Sequence, residues 1–310
     1  MARGLPCARA WQIRRTCPKG SILRPSGRSV DKLQSDAGGV PPEHRPGNDN
    51  AEPAPGIRLG DDVLMALRFF SRLPTGSRAH EKPDLGRMAR ALGFASLVIG
   101  LVPALSVFGL GLLGLPPFFA AAFAAGIAII VTGAMGEDGL ADAADGLFGG
   151  ITPARRLEIM KDSRHGSYGV AAMVILLLLR VSALAALLTI SPLAAALGWL
   201  SAMVLARSGA LTLPLVLAPA RADGAAATAG RLRIRDFAIG AVFSLIIGFI
   251  LAAPVVGLLG LGLALALMGL ACYGWIALCR RLVGGQTGDL TGALQSILEI
   301  AALSAFILSV

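Results

Sequence analysis

The sequence predicts an all-α protein, a polytopic transmembrane helical bundle of about seven spans with its N-terminus on the cytoplasmic side. Three observations predict it. Hydrophobic residues fill 55% of 310 positions and charged residues only 15%, whereas a soluble globular domain carries about a quarter charged residues. The apolar residues come in long blocks that lack the polar face a surface helix needs. The basic residues are confined to one set of connecting segments, the pattern of cytoplasmic loops.

Residues 1–60 differ from the rest. They are rich in Arg, Pro, Gly and Ser and have no sustained apolar periodicity. Such a segment cannot bury enough surface to offset its ordering entropy, so a disordered basic tail is expected. It has no apolar core of the kind a secretory signal requires. Its basic residues could touch anionic lipid headgroups, and an over-extended translation start, with Met65 as the true beginning, accounts for it equally well. Residues 61–310 form the integral membrane domain.

Within that domain Phe69-Phe70-Ser71-Arg72-Leu73-Pro74 reads as an interfacial element before the spans. Seven apolar segments follow, at Met88–Leu113, Pro117–Met135, Val170–Ile190, Pro192–Ala218, Phe237–Ala253, Val255–Leu278 and Leu290–Val310. Most reach the ~20 residues that a helix needs to cross the hydrocarbon core. The block from Ile239 to Cys279 is too long for one crossing, and Pro254 is the expected break.

Alternating the loops places all 28 Lys/Arg on one side, apart from Arg180 and Arg207, which fall inside spans. Of the 19 acidic residues only Glu299 falls inside a span, and the rest share the basic side. Basic loops stay inside, so a multi-pass inner-membrane protein with its chemistry on the cytoplasmic face is expected. The net charge of +9 follows from this topology, and no nucleic-acid partner is implied. Cys7, Cys17, Cys272 and Cys279 have neither metal-site nor disulfide-framework spacing. A transporter needs access from both sides, and the bare outer loops favour an enzyme.

The run Gly136-Glu137-Asp138-Gly139-Leu140-Ala141-Asp142-Ala143-Ala144-Asp145-Gly146 follows the second apolar segment. On a helix, Asp138, Asp142 and Asp145 share an arc of roughly 60°. Like charges on one stripe repel unless a cation sits between them, and hard carboxylate oxygens suit Mg²⁺ or Mn²⁺. Glu137, pointing elsewhere on the wheel, is a weaker metal ligand candidate. Lys161 and Arg164 lie on the next segment, an amphipathic stretch ending in a glycine-punctuated turn, and have the chemistry of a phosphate clamp. His165 reads there as a loop residue. Gly284-Gly285-Gln286-Thr287-Gly288-Asp289 lets backbone N–H groups approach an anion, with Gly285, Gln286 and Thr287 as substrate-binding candidates. Asp289 is either the cap of the last helix or a further metal ligand. Arg180 and Glu299 could pair inside the bundle, and Arg207 could reach a substrate phosphate.

Together, Phe70-Ser71-Arg72-Leu73-Pro74, Glu137 to Gly146, Leu157 to Gly169 and Gly284 to Asp289 resemble the cobalamin synthase family, the adenosylcobinamide-GDP ribazoletransferases, across residues 61–310. Gly136 stands where that family's pattern often has His. The resemblance implies transfer of adenosylcobinamide phosphate from adenosylcobinamide-GDP to α-ribazole or its 5′-phosphate, with release of GMP and Mg²⁺ as cofactor. It places the metal on Asp138, Asp142 and Asp145, and gives Asp289 a second metal contact or the role of general base. A CDP-alcohol type phosphotransferase is the alternative, although Asp142 stands where that motif has Arg. Membrane lipid is an expected partner, and a homo-oligomer is left open.

Overall fold

A computed structural model describes residues 59–76, 82–162, 164–221 and 230–310. The expectations for the basic tail fall almost wholly outside these residues, and Ser163 of the clamp segment falls outside them too. Among the described residues the structure is helical, and its only β feature is an isolated bridge between Pro219 and Gln286.

An amphipathic helix, α1 (Leu59–Phe70), leads in. The following Ser71-Arg72 stretch docks on the next hairpin, where the Arg72 N–H donates to the Val131 carbonyl at 2.7 Å. Helix α2 (Leu85–Leu112) is capped by Asp84, which accepts from the Arg87 N–H. Helix α3 (Pro117–Thr132) starts with proline at its first position, where the missing N–H costs nothing. It stops at Gly133 and Ala134, both at positive φ, and α4 (Met135–Gly149) leaves at 87° to it. The second expected span therefore ends at this bend, and α4 no longer runs along the direction of α3.

Short α5 (Pro153–Ile159), α6 (Ser167–Ile190), α7 (Pro192–Ala210) and α8 (Thr212–Val216) come next. Then α9 (Ile234–Leu282) runs for 49 residues, and α10 (Gly288–Leu308) closes the chain. Straight, α9 would be ~74 Å long, more than twice the hydrocarbon core. It is not straight, because Gly257 lies at φ 64° and ψ −172°. Phe237, Ala241 and Leu245 of its first half line the same small cavity as Leu265, Met268 and Cys272 of its second half. In one straight helix Ala241 and Met268 would stand ~40 Å apart, so the halves fold back on each other. The break falls three residues after the proline the sequence marked. Pro254 removes a helical N–H, but only glycine takes the backbone conformation that reverses the chain at no steric cost.

Among the described residues, five helices are long and apolar enough to cross a membrane, and the bent α3–α4 pair passes the same test together. Their outer faces expose large apolar side chains, among them Leu259, Leu270, Ile130 and Leu112. Patches of that kind would aggregate in water and are at home in lipid. Inside, glycines bring backbones together as membrane helices do: a Cβ on Gly240 would strike the Ala89 carbonyl, and one on Gly93 would strike Ser244.

Candidate active site

Helix α4 is held from three sides. Its Gly136 and Gly139 lie flat against α10 at Ser296, Asp289 and Gly292. At its C-terminal end, α5 folds under it, with Arg156 donating from Nε to the Leu147 carbonyl and from Nη1 to the Leu282 carbonyl at the end of α9. On the third side, Asp145 accepts the Gly166 and Gly169 N–H groups at 2.6 and 2.9 Å. Those groups open α6, whose first residues have no other side-chain cap. A Cβ on either glycine would collide with the Asp145 carboxylate.

Docking the start of α6 on Asp145 places the preceding residue, His165, over the middle of α4. Its Nδ1 lies 3.7 Å from Asp142 Oδ1 and its Nε2 3.8 Å from Asp138 Oδ1. One potential ligand atom from each of these three residues falls within 4.8 Å of the others. Asp142 is the more enclosed carboxylate and Asp138 the more exposed. Burial, then the charges of Asp138 and Asp289, push the Asp142 carboxyl up to about 6, against the opposing pull of His165.

Asp289 faces this pair from the first turn of α10. Thr287 caps that helix by accepting the Leu290 N–H, and its hydroxyl lies 3.4 Å from Asp289 Oδ2. Arg221 Nη2 stands at 3.4 Å from the same oxygen. The glycine loop positions Arg221: the Gln286 N–H donates to the Ala218 carbonyl and the Ala220 N–H donates to the Gln286 carbonyl, both at 2.9 Å. Gly285 is needed there because a Cβ would meet Ala218 and Ala220 backbone atoms below 3.0 Å.

The sequence candidates thus separate. Asp138, Asp142 and Asp289 come together, joined by His165 and Arg221, neither of which the sequence marks as catalytic. Asp145 of the expected stripe is spent on the backbone of α6. Glu137 lies 7% exposed and is paired with Arg180, which also grips Glu299 through Nε and Nη2 at 2.9 and 3.0 Å. Trp199 donates to the same Glu299 carboxylate at 2.9 Å. Arg207 is 3% exposed and lines a small internal cavity with Glu137, Arg180 and Glu299, beneath the start of α4. Gln286 and Thr287 are buried, and they act through their backbone bridge and helix cap. Lys161 and Arg164 sit on the exposed turn between α5 and α6, with Arg164 forked onto Asp162 at 2.7 and 3.0 Å. No pattern in the sequence joins His165 to a carboxylate more than 20 residues earlier; the glycines at 166 and 169 are the trace of the docking that does.

Fold and site together define a membrane-embedded helical protein with an acidic, histidine-containing corner at one end of its bundle. The chain matches the family model described as Cobalamin-5-phosphate synthase over residues 62–307, and it belongs to that family. It is 45% identical to an adenosylcobinamide-GDP ribazoletransferase of Azorhizobium caulinodans. It is 42% and 40% identical to proteins of the same name from Xanthobacter autotrophicus and Rhizobium johnstonii. Each alignment covers 79% of this chain and 95% of the relative. No solved structure matches it.

Proposed function

We propose that the corner formed by Asp138, Asp142, His165 and Asp289 is the active site of a magnesium-dependent ribazoletransferase on the cytoplasmic face of the inner membrane. The family performs the last assembly step of cobalamin. A hydroxyl of α-ribazole, or of its 5′-phosphate, attacks the phosphoryl group carried by adenosylcobinamide in adenosylcobinamide-GDP. A new P–O bond forms, the bridging P–O bond breaks, and GMP leaves with the electron pair.

The observation that carries this reading is the meeting of two carboxylates and an imidazole within 4.8 Å, opposite a third carboxylate. Two hard oxygen donors fit Mg²⁺, and an Asp142 carboxyl pushed upward by burial and then by neighbouring negative charge has the second of these causes relieved by a cation. Asp138 and Asp142 would hold the ion, with His165 beside them orienting the carboxylates, and the ion when bound would offset pyrophosphate charge and charge building on the departing GMP.

The chain's own groups do the rest. Asp289 accepts the proton of the attacking hydroxyl. Arg221 beside it and Lys161 and Arg164 on the α5–α6 turn hold phosphate oxygens, Arg164 by exchanging Asp162 for substrate. The glycine faces of α4 and α10 fix Asp138, Asp142 and Asp289 relative to one another, and such fixed placement is most of what phosphoryl transfer asks of a protein.

Seven crossings follow if α3 is one span and the two halves of α9 are two. That count puts both α4 and the glycine loop on the basic side, which supports a cytoplasmic site. The test is turnover by the purified protein given adenosylcobinamide-GDP and α-ribazole, with GMP release and corrinoid product measured. Mg²⁺-dependent product is expected. Product formed at full rate by Asp142→Asn would overturn the site.

A further inference from the structure

A second polar recess lies where the first turns of α2 and α9 meet, and it shares no residue with the acidic corner. Arg87, Arg90, Arg231, Arg233, Asp84 and Asp236 line a cleft of about 260 Å³. The cleft is built by close approach: a Cβ on Gly86 would fall 2.9 Å from Asp236 Oδ2, and one on Gly240 would strike Ala89. Clefts for drug-sized ligands run to ~300–1,000 Å³, so this one suits a small charged group.

Four arginines line it, and the carboxylates nearby leave donors of Arg90, Arg231 and Arg233 over. Buried Asp62 takes Arg87 Nε at 2.7 Å and Arg90 Nη2 at 3.4 Å. Asp236 lies 3.7 Å from Arg90 Nη1, and Asp84 gives an oxygen to the cap of α2. Arg90 Nε is buried without a hydrogen-bond partner. Arg231 and Arg233 have no ion pair among the described residues. The start of α9 adds to this, because no side chain caps its first N–H groups, and such an end attracts anions. Arg231 and Arg233 are exposed, yet they line the same recess as Arg90, which has a buried donor left over.

We propose that this cleft binds the phosphate group of a ligand at the membrane surface, with Arg90, Arg231 and Arg233 as donors. An anionic phospholipid headgroup and a soluble phosphate ester offer the same chemistry, and the experiment separates them. The full-length protein, purified in detergent without divalent cations, is assayed for retention of phosphatidylglycerol against diacylglycerol by native mass spectrometry. Delipidated protein is assayed for inorganic phosphate by equilibrium dialysis. Both measurements are repeated with Arg231→Gln/Arg233→Gln, whose side chains are exposed and outside the packed bundle, with the corresponding double Lys variant, and with Asp142→Asn.

Retention of phosphatidylglycerol identifies the lipid source, and binding of inorganic phosphate identifies the soluble one. In either case the double Gln variant is expected to lose about tenfold or more in affinity, the double Lys variant less, and Asp142→Asn nothing. The proposal fails if no phosphate-bearing probe binds above the diacylglycerol control. It fails equally if the double Gln variant binds as the unchanged protein does.

Discussion

Asp142 and Asp145 sit one turn apart on α4 and answer to different partners. Asp142 faces Asp138 and His165, with no backbone donor holding it, whereas Asp145 neutralises the opening N–H groups of α6. Asp142→Asn is expected to abolish turnover while membrane insertion and the thermal transition stay normal; near-normal GMP release would show that its charge is not used. Asp145→Ala is expected to lower stability by about 1–2 kcal/mol, the cost of a lost helix cap, read as a lower midpoint in thermal denaturation. It should also cut activity, because His165 is placed by that same docking. His165→Ala should raise the Mg²⁺ concentration needed for half-maximal rate, with much of the rate returning at saturating ion. An unchanged Mg²⁺ requirement would show that His165 does not support the proposed ion site. These roles were only half legible in the sequence. A helical wheel gives a direction for each aspartate but not the group that meets it, so Asp138 and Asp142 could be singled out while Asp145 could not be separated from them. Glu137 illustrates the same limit, since its partners lie on α6 and, through Arg180, on α10.

At the level of elements, the bend between α3 and α4 and the fold-back within α9 shape the bundle. The apolar blocks were readable because hydropathy alone marks a span, and the pairing of Arg180 with Glu299 was readable because isolated charges in lipid need one another. The turning point of α9 was less so: proline marks where a helix weakens, but the chain reverses where a residue tolerates positive φ, and that is Gly257. The fold-back makes a topological prediction. In an otherwise cysteine-free chain, Leu259→Cys is expected to react with a membrane-impermeant thiol reagent from outside intact cells, and Arg281→Cys only after lysis. Reaction of both from the same side would unseat the count of seven crossings. The ion network makes an energetic one. Arg180→Met leaves Glu137 and Glu299 buried without their shared cation and should cost about 3–5 kcal/mol. Arg180→Met combined with Glu137→Gln and Glu299→Gln should recover part of that, measured by resistance to thermal aggregation in detergent.

Across the whole molecule, charge is segregated by depth. Among the described residues, two guanidinium groups, Arg180 and Arg207, and two carboxylates, Glu137 and Glu299, stand around one cavity beneath α4. The order of synthesis gives that balance a consequence for biogenesis. A ribosome releases Glu137 first, then Arg180 and Arg207, and releases Glu299 only with the final helix. Until α10 emerges, the groups destined to surround this cavity are two cations against one anion. Docking of the last helix is therefore the step that neutralises the half-built protein, and chains truncated before Gly288 should be left as clients for membrane quality-control proteases.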